Sequence, residues 1–179
     1  MNVVYLVGPT GAGKTAVGRR AAAMLNLDFV DIDELVQQRS GVDIPWIFDV
    51  EGEPGFRRRE SETLAELSTG SNTLVATGAG IILGPSNRVL MRDTGLVVYL
   101  KTTVRRQLSR LKNDKRRPLL MAPDRRQRLE AMANIRNPLY EALADLTIVS
   151  DDDSLPAMAR RVASAIKDHT KSPEQNGND

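Results

Sequence analysis

The 179-residue sequence contains no cysteine and a single histidine, His169. The first absence excludes disulfides, thiol nucleophiles and cysteine-bound zinc, and it fits a reducing compartment. The second leaves acid–base work to carboxylates, since His169 stands in a polar C-terminal stretch. Aromatic residues make up only 4% of the chain, too few for a stacking platform that would grip single-stranded nucleic acid. No apolar run reaches the length of a membrane-spanning helix, and Met1-Asn2 lead directly into a short apolar segment without the basic and apolar regions of a secretory signal. A soluble, cytoplasmic protein is expected. Two nucleotide-handling signatures are also missing. There is no Asn-Lys-x-Asp quartet of the GTPase kind, Asn113-Asp114-Lys115 having a different order, and no apolar strand ending in Asp-Glu, as a hydrolytic ATPase would have.

What is present starts with Gly8-Pro9-Thr10-Gly11-Ala12-Gly13-Lys14-Thr15, which fits the phosphate-binding spacing of glycine, four free positions, then Gly-Lys-[Ser/Thr]. Val3 to Val7 before it reads as a buried strand and Ala16 to Leu25 after it as a helix. Glycines let backbone N–H groups converge on phosphate oxygens, and the helix N-terminus behind them adds partial positive charge. Lys14 then reaches the β and γ phosphates, and Thr15 offers its hydroxyl to Mg²⁺. The formal charge is only +2, but arginines cluster at 57–59, 105–110, 116–117 and 125–128, a pattern that serves small anionic ligands as well as nucleic acid.

Further strands are predicted at Asp28–Asp31, Thr73–Thr77, Leu96–Leu100 and Leu146–Val149, with helices at Glu34–Arg39, Ile44–Val50, Phe56–Leu67, Thr103–Leu111 and Leu155–Lys167. A turn is expected at 51–55. Strands alternating with helices, several of them continuously apolar, give an α/β class with a five-stranded parallel sheet covered on both faces, and ligands at the strands' carboxyl ends. Residues 112–125, basic and broken by two prolines, read as a lid, and the polar residues 168–179 as a disordered tail after one domain spanning 1–167.

Three features carry chemistry beyond the loop. Asp31-Ile32-Asp33 leaves the second strand, where alternation puts both carboxylates on one side: Asp31 for metal through water, Asp33 for an attacking hydroxyl, unless Asp33 caps the next helix. Arg57 and Glu60, three apart on a helix, are either a solvated pair or a guanidinium facing an acidic substrate. Gly78-Ala79-Gly80 ends the third strand, where backbone can approach a ligand. Small-molecule phosphotransfer is the favoured class. A gluconate-type kinase and a nucleotide-dependent nucleic-acid-binding protein are the alternatives.

With Ile47-Phe48, Glu51-Gly52-Glu53, Phe56-Arg57 with Glu60, Gly78-Ala79-Gly80, Asn87-Arg88, Arg117-Pro118-Leu119-Leu120 and Arg136-Asn137-Pro138-Leu139-Tyr140 following the loop in this order, the chain resembles the shikimate kinases. The resemblance implies a three-layer P-loop kinase fold with a substrate-binding helical region at about 32–62 and a lid. It implies phosphorylation of the 3-hydroxyl of shikimate by ATP with Mg²⁺, in aromatic amino acid biosynthesis, by a monomer that engages neither nucleic acid nor membrane. Gly11, Ala12, Gly13, Lys14, Thr15, Ala16 and Arg117 would bind ATP, with Lys14, Asp33 and Arg117 catalytic, and Thr15 and Asp31 (through water) would hold the metal. Asp33, Arg57, Arg136, Phe48, Phe56 and the backbone of Gly78, Ala79 and Gly80 would take shikimate. Plainer readings stand beside these: phenylalanines as core, Arg117 as a solvated lid residue, Arg136 as a helix-end charge before Pro138. Two departures from the family pattern stand out. Ala79 replaces the middle of three glycines: with negative φ its N–H can still serve the substrate, and with positive φ its methyl costs roughly 1–2 kcal/mol. Residues 150–154, where the family holds adenine, are acidic here and receive no assignment.

Overall fold

The structure is a computed structural model and describes residues 3–112, 124–150 and 154–171. Five parallel strands, β1 (Val3–Val7), β2 (Asp28–Asp31), β3 (Thr73–Ala76), β4 (Gly95–Lys101) and β5 (Leu146–Val149), form one sheet in the order β2-β3-β1-β4-β5. Tyr5 at the centre of β1 registers with Val75 of β3 and Val97 of β4. All five β1 residues are buried, as the uninterrupted apolar run requires of a strand covered on both sides.

The two-residue period of the strands divides the core. Val3, Tyr5, Val7, Val75, Val97 and Tyr99 point to one face, and Val4, Leu6, Leu74, Val98 and Leu100 to the other. The second face is covered by α1 (Lys14–Leu25) and α7 (Leu155–Lys171), through Val17, Ala21 and Ala22 against Met158, Val162 and Ile166. Gly18 lets α1 ride close to the sheet, since a Cβ there would come within 2.9 Å of the Phe29 ring and 3.1 Å of Leu6. The first face is covered by α2 (Ile32–Ser40), α3 (Ile44–Ser68), α4 (Pro85–Thr94) and α6 (Arg125–Leu143). A short helix, α5 (Val104–Arg110), follows β4. Because β1 sits between β3 and β4, connections diverge from it, and the crevice at its carboxyl end is where this topology places ligands.

Four local expectations need correcting. Asp31, not Asp33, caps α2: its Oδ1 accepts from the backbone N–H of Asp33 (2.9 Å) and Glu34 (3.2 Å). The strand therefore ends at Asp31, and alternation does not govern Asp33. The turn expected at 51–55 is a kink inside α3, with Gly52 at φ 69°, bridged by the Arg59–Glu51 ion pair at 2.6 Å. Pro138 does not end α6, so Arg136 lies within the helix; Asn134 and Pro138 both face solvent, where a carbonyl released by the ring finds water. α7 continues to Lys171, so residues 168–171 are helical rather than tail, with His169 and Lys171 in the last turn matching the negative end of the helix dipole. The helix α4 at Pro85–Thr94 adds an element that the sequence reading lacks.

Candidate active site

The phosphate loop joins β1 to α1. Gly8, Gly11 and Gly13 take φ of 147°, 76° and 95°, values that a side chain rarely adopts. Lys14 follows at the first turn of α1, and its Nζ donates to the carbonyls of Gly8 (2.7 Å) and Pro9 (3.0 Å), which holds the ammonium over the loop. Ala12 is buried, while Thr15 and Ala16 lie along the exposed start of α1. The loop is also held from outside. Gln107 of α5 donates to the Thr10 carbonyl at 2.8 Å, Arg110 donates to the carbonyls of Gly11 (3.1 Å) and Ala12 (3.2 Å), and the buried Ser150 hydroxyl after β5 donates to the Ala12 carbonyl at 3.2 Å. Nothing in the sequence distinguishes these three from ordinary surface or strand-end residues.

The two residues expected to serve a metal stand side by side, the Thr15 hydroxyl donating directly to Asp31 Oδ2 at 2.6 Å. One hydroxyl and one carboxylate oriented by two backbone N–H groups form a hard oxygen donor set, which suits Mg²⁺ completed by phosphate and water. Among the described residues no group of three or more His, Cys, Asp or Glu gathers as a full metal cage.

A second cluster is built at the end of β3. Asp33, in the first turn of α2, and Glu60, on α3, approach Gly78 from the same side: a Cβ at Gly78 would overlap Glu60 Oε1 and lie 2.9 Å from Asp33 Oδ1. Glu60 is fully buried and ion-pairs with Arg57, whose guanidinium also donates to Glu53 Oε1 at 3.0 Å and lies against Gly80, where a Cβ would overlap it. The solvated-pair reading of Arg57 and Glu60 is thus overturned. Burial pushes the Glu60 carboxyl up to about 7, Arg57 pulling it back and Asp33 pushing it further, while Arg136 draws it down more weakly. Burial alone would lower the Arg57 guanidinium, but Glu60 and Glu53 outweigh it and leave it above the ordinary arginine value.

Gly78 and Gly80 do not need their glycines for positive φ. Ala79 does not adopt positive φ either, the non-glycine residues that do among the described residues being Asn26 and Asn72, so its methyl meets no backbone penalty. Asn87 and Arg88 hold the 3₁₀ turn that follows, Asn87 donating to the Ile81 carbonyl (3.3 Å) and Arg88 to those of Ile82 (2.7 Å) and Leu83 (3.2 Å). Phe56 is a core residue, with Phe48 at its edge and ring centroids 5.0 Å apart. Arg136 of α6 is half-buried and borders a crevice between α6, the Pro9-Thr10 end of the phosphate loop and Gln107 of α5. Arg117 lies outside the described residues, as does all but the two ends of the expected lid.

A protein-family profile described as "Shikimate kinase" matches residues 10–167. A relative from Shewanella oneidensis named shikimate kinase is 48% identical over 159 residues, covering 89% of this chain and 93% of the relative. One from Actinobacillus pleuropneumoniae serotype 5b with the same name is 44% identical over 163 residues, covering 91% and 94%. Among solved structures, shikimate kinase from Acinetobacter baumannii in complex with shikimate superposes with a TM-score of 0.90 at 41% identity, covering 94% of each chain.

Proposed function

The chain belongs to the shikimate kinase family, and we propose that it transfers the γ-phosphoryl group of ATP to the 3-hydroxyl of shikimate, releasing ADP and shikimate 3-phosphate for chorismate and aromatic amino acid biosynthesis. The observation that carries this reading is the Asp33–Glu60–Arg57 cluster packed against Gly78 and Gly80, one strand away from the phosphate loop. A donor cradle and an anion-binding acceptor pocket then share the carboxyl edge of the sheet.

Phosphoryl transfer asks for in-line placement of the acceptor oxygen and neutralisation of charge on the transferred group, with little covalent work by the protein. Gly11, Ala12 and Gly13 present backbone N–H groups to the phosphates, Ala16 follows on α1, and Lys14 turns from the Gly8 and Pro9 carbonyls to the β and γ phosphates. Asp33 accepts the hydrogen bond of the 3-hydroxyl, aims its oxygen at the γ-phosphorus and takes its proton. Arg57 and Arg136 bind the shikimate carboxylate, a match for guanidinium forks. The Gly78–Gly80 backbone and the Phe48 and Phe56 rings form the wall of the pocket. Thr15, with Asp31 through water, would hold Mg²⁺, which would supply charge neutralisation at the phosphates when bound. Arg117 joins Lys14 at those phosphates. In the same reading the protein is a cytoplasmic monomer that binds no nucleic acid, consistent with a formal charge of only +2. Among the described residues no helix is long and apolar enough to cross a membrane.

The test is ADP release with shikimate, gluconate and nucleosides as acceptors. Stimulation by shikimate is expected. Stimulation by gluconate alone would move the chain to the gluconate-type alternative, and no response to shikimate would sink the assignment.

A further inference from the structure

Tyr140 stands where α6 meets the acceptor turn. Its hydroxyl donates a 2.6 Å hydrogen bond to the Ala79 carbonyl, across 61 positions of sequence. Its ring is fully buried and stacks on Tyr99, with centroids 5.0 Å apart and planes at 21°. Tyr99 in turn donates to Asn137 Oδ1 at 3.4 Å, which ties the ring pair to the α6 turn that carries Arg136. The other carbonyls of the turn are used locally, Gly78 accepting from Ile81 N–H (3.3 Å) and Gly80 from Leu83 N–H (3.0 Å). Only the Ala79 carbonyl is anchored from a distant element among these three.

We infer that Tyr140 is a positioning residue for the acceptor substrate: its hydroxyl pins the Ala79 carbonyl and so sets the direction of the 78–80 backbone relative to Arg136 and Arg57. The trans peptide makes this geometric, because fixing the Ala79 C=O aims the Gly80 N–H the opposite way. Arg136 lies four residues before Tyr140 on α6, so both project from neighbouring turns of one helix face. A single helix thereby carries a guanidinium assigned to the carboxylate and the hydroxyl that orients the facing backbone. Burial raises the Tyr140 hydroxyl above its ordinary value, which keeps it protonated and donating throughout the working pH range. The same anchor suits alanine at position 79. Its side chain takes no part in the bond, and its φ is already on the permitted side.

The inference rests on the shikimate reading, and the experiment separates the two. Shikimate and ATP are titrated calorimetrically into the wild type, Tyr140→Phe, Ala79→Gly and the double variant, with thermal midpoints recorded. Phenylalanine keeps the stack on Tyr99 and removes only the donor, and the ATP stoichiometry counts the folded, competent fraction. Shikimate affinity of Tyr140→Phe is expected to fall about three- to tenfold, the reach of one hydrogen bond, with ATP affinity unchanged. Ala79→Gly should weaken shikimate binding more in the Tyr140→Phe background than in the wild type, since the freed turn has more conformations to lose. Unchanged shikimate affinity in Tyr140→Phe would overturn the inference. So would a parallel loss of both affinities with a lowered thermal midpoint, the sign of a merely structural role. A wild type that binds ATP but not shikimate would instead overturn the functional reading.

Discussion

The phosphate loop and the 78–80 turn are both rich in glycine, and Gly13 of the one and Gly80 of the other are glycine for opposite reasons. At Gly13 the backbone sits at φ 95° while a Cβ would meet nothing nearer than Val17 at 3.6 Å, so glycine is there for conformation and not for space. At Gly80 φ is −89°, open to any residue, but a Cβ would overlap the Arg57 guanidinium. Gly13 uses its freedom to turn the loop, while Gly8 adds a close approach, a Cβ there lying 2.6 Å from the Leu100 carbonyl oxygen. Gly80 lets a charged side chain lie against the main chain. The turn can therefore hold Ala79 between its glycines, because the collisions belong to its neighbours.

The largest effect that separates the two regions is chemical. Asp33→Asn should lower kcat by about 10²- to 10⁴-fold, the span of a lost general base, while ATP affinity stays unchanged. Steady-state kinetics beside ATP titration would show it, and equal loss of both would merge the two regions into one. Gly13→Ala comes next. It should weaken ATP binding by about 1–2 kcal/mol through backbone strain and leave shikimate affinity intact, as measured by paired titrations.

The smallest effect concerns stability. Glu60 has its carboxyl pushed up to about 7 in the folded protein from an ordinary 4.5, with burial the chief cause. The folded state then binds this proton more tightly than the unfolded state does. The stability Glu60 contributes is fully present below the ordinary value and declines as pH rises toward 7. Denaturation of the wild type and Glu60→Gln across that window should show the wild type losing ground with rising pH. Parallel profiles would assign the charge elsewhere in the cluster.

How much of this is legible in the sequence follows from the range of each interaction. The phosphate loop and the parallel sheet rest on local spacing and strand order, and they are found as expected, whereas the direct Thr15–Asp31 hydrogen bond is a contact the sequence pattern does not specify. The α2 cap escapes the pattern because one residue decides where a strand ends and a helix begins, and two backbone N–H groups select Asp31. Pro138 reads as a helix end because the pattern does not reveal that the carbonyl it releases, that of Asn134, faces water. Arg57 and Glu60 fit a surface pair as well as a buried one, since an i, i+3 spacing is the same on either face of a helix. Tyr140, Gln107 and Ser150 act through contacts spanning 61, 97 and 138 positions, which no local pattern encodes.

The contrast between the two glycine regions is tested most directly by titrating shikimate and ATP into Gly80→Ala. The end of a flexible arginine can move aside, so the fold should form, with the thermal midpoint lowered by the loosened Arg57–Glu60 pair, while the displaced Arg57 should lower shikimate affinity by about 10²-fold and leave ATP affinity alone. Shikimate affinity equal to that of the wild type would contradict the account, and so would a matching loss of ATP affinity.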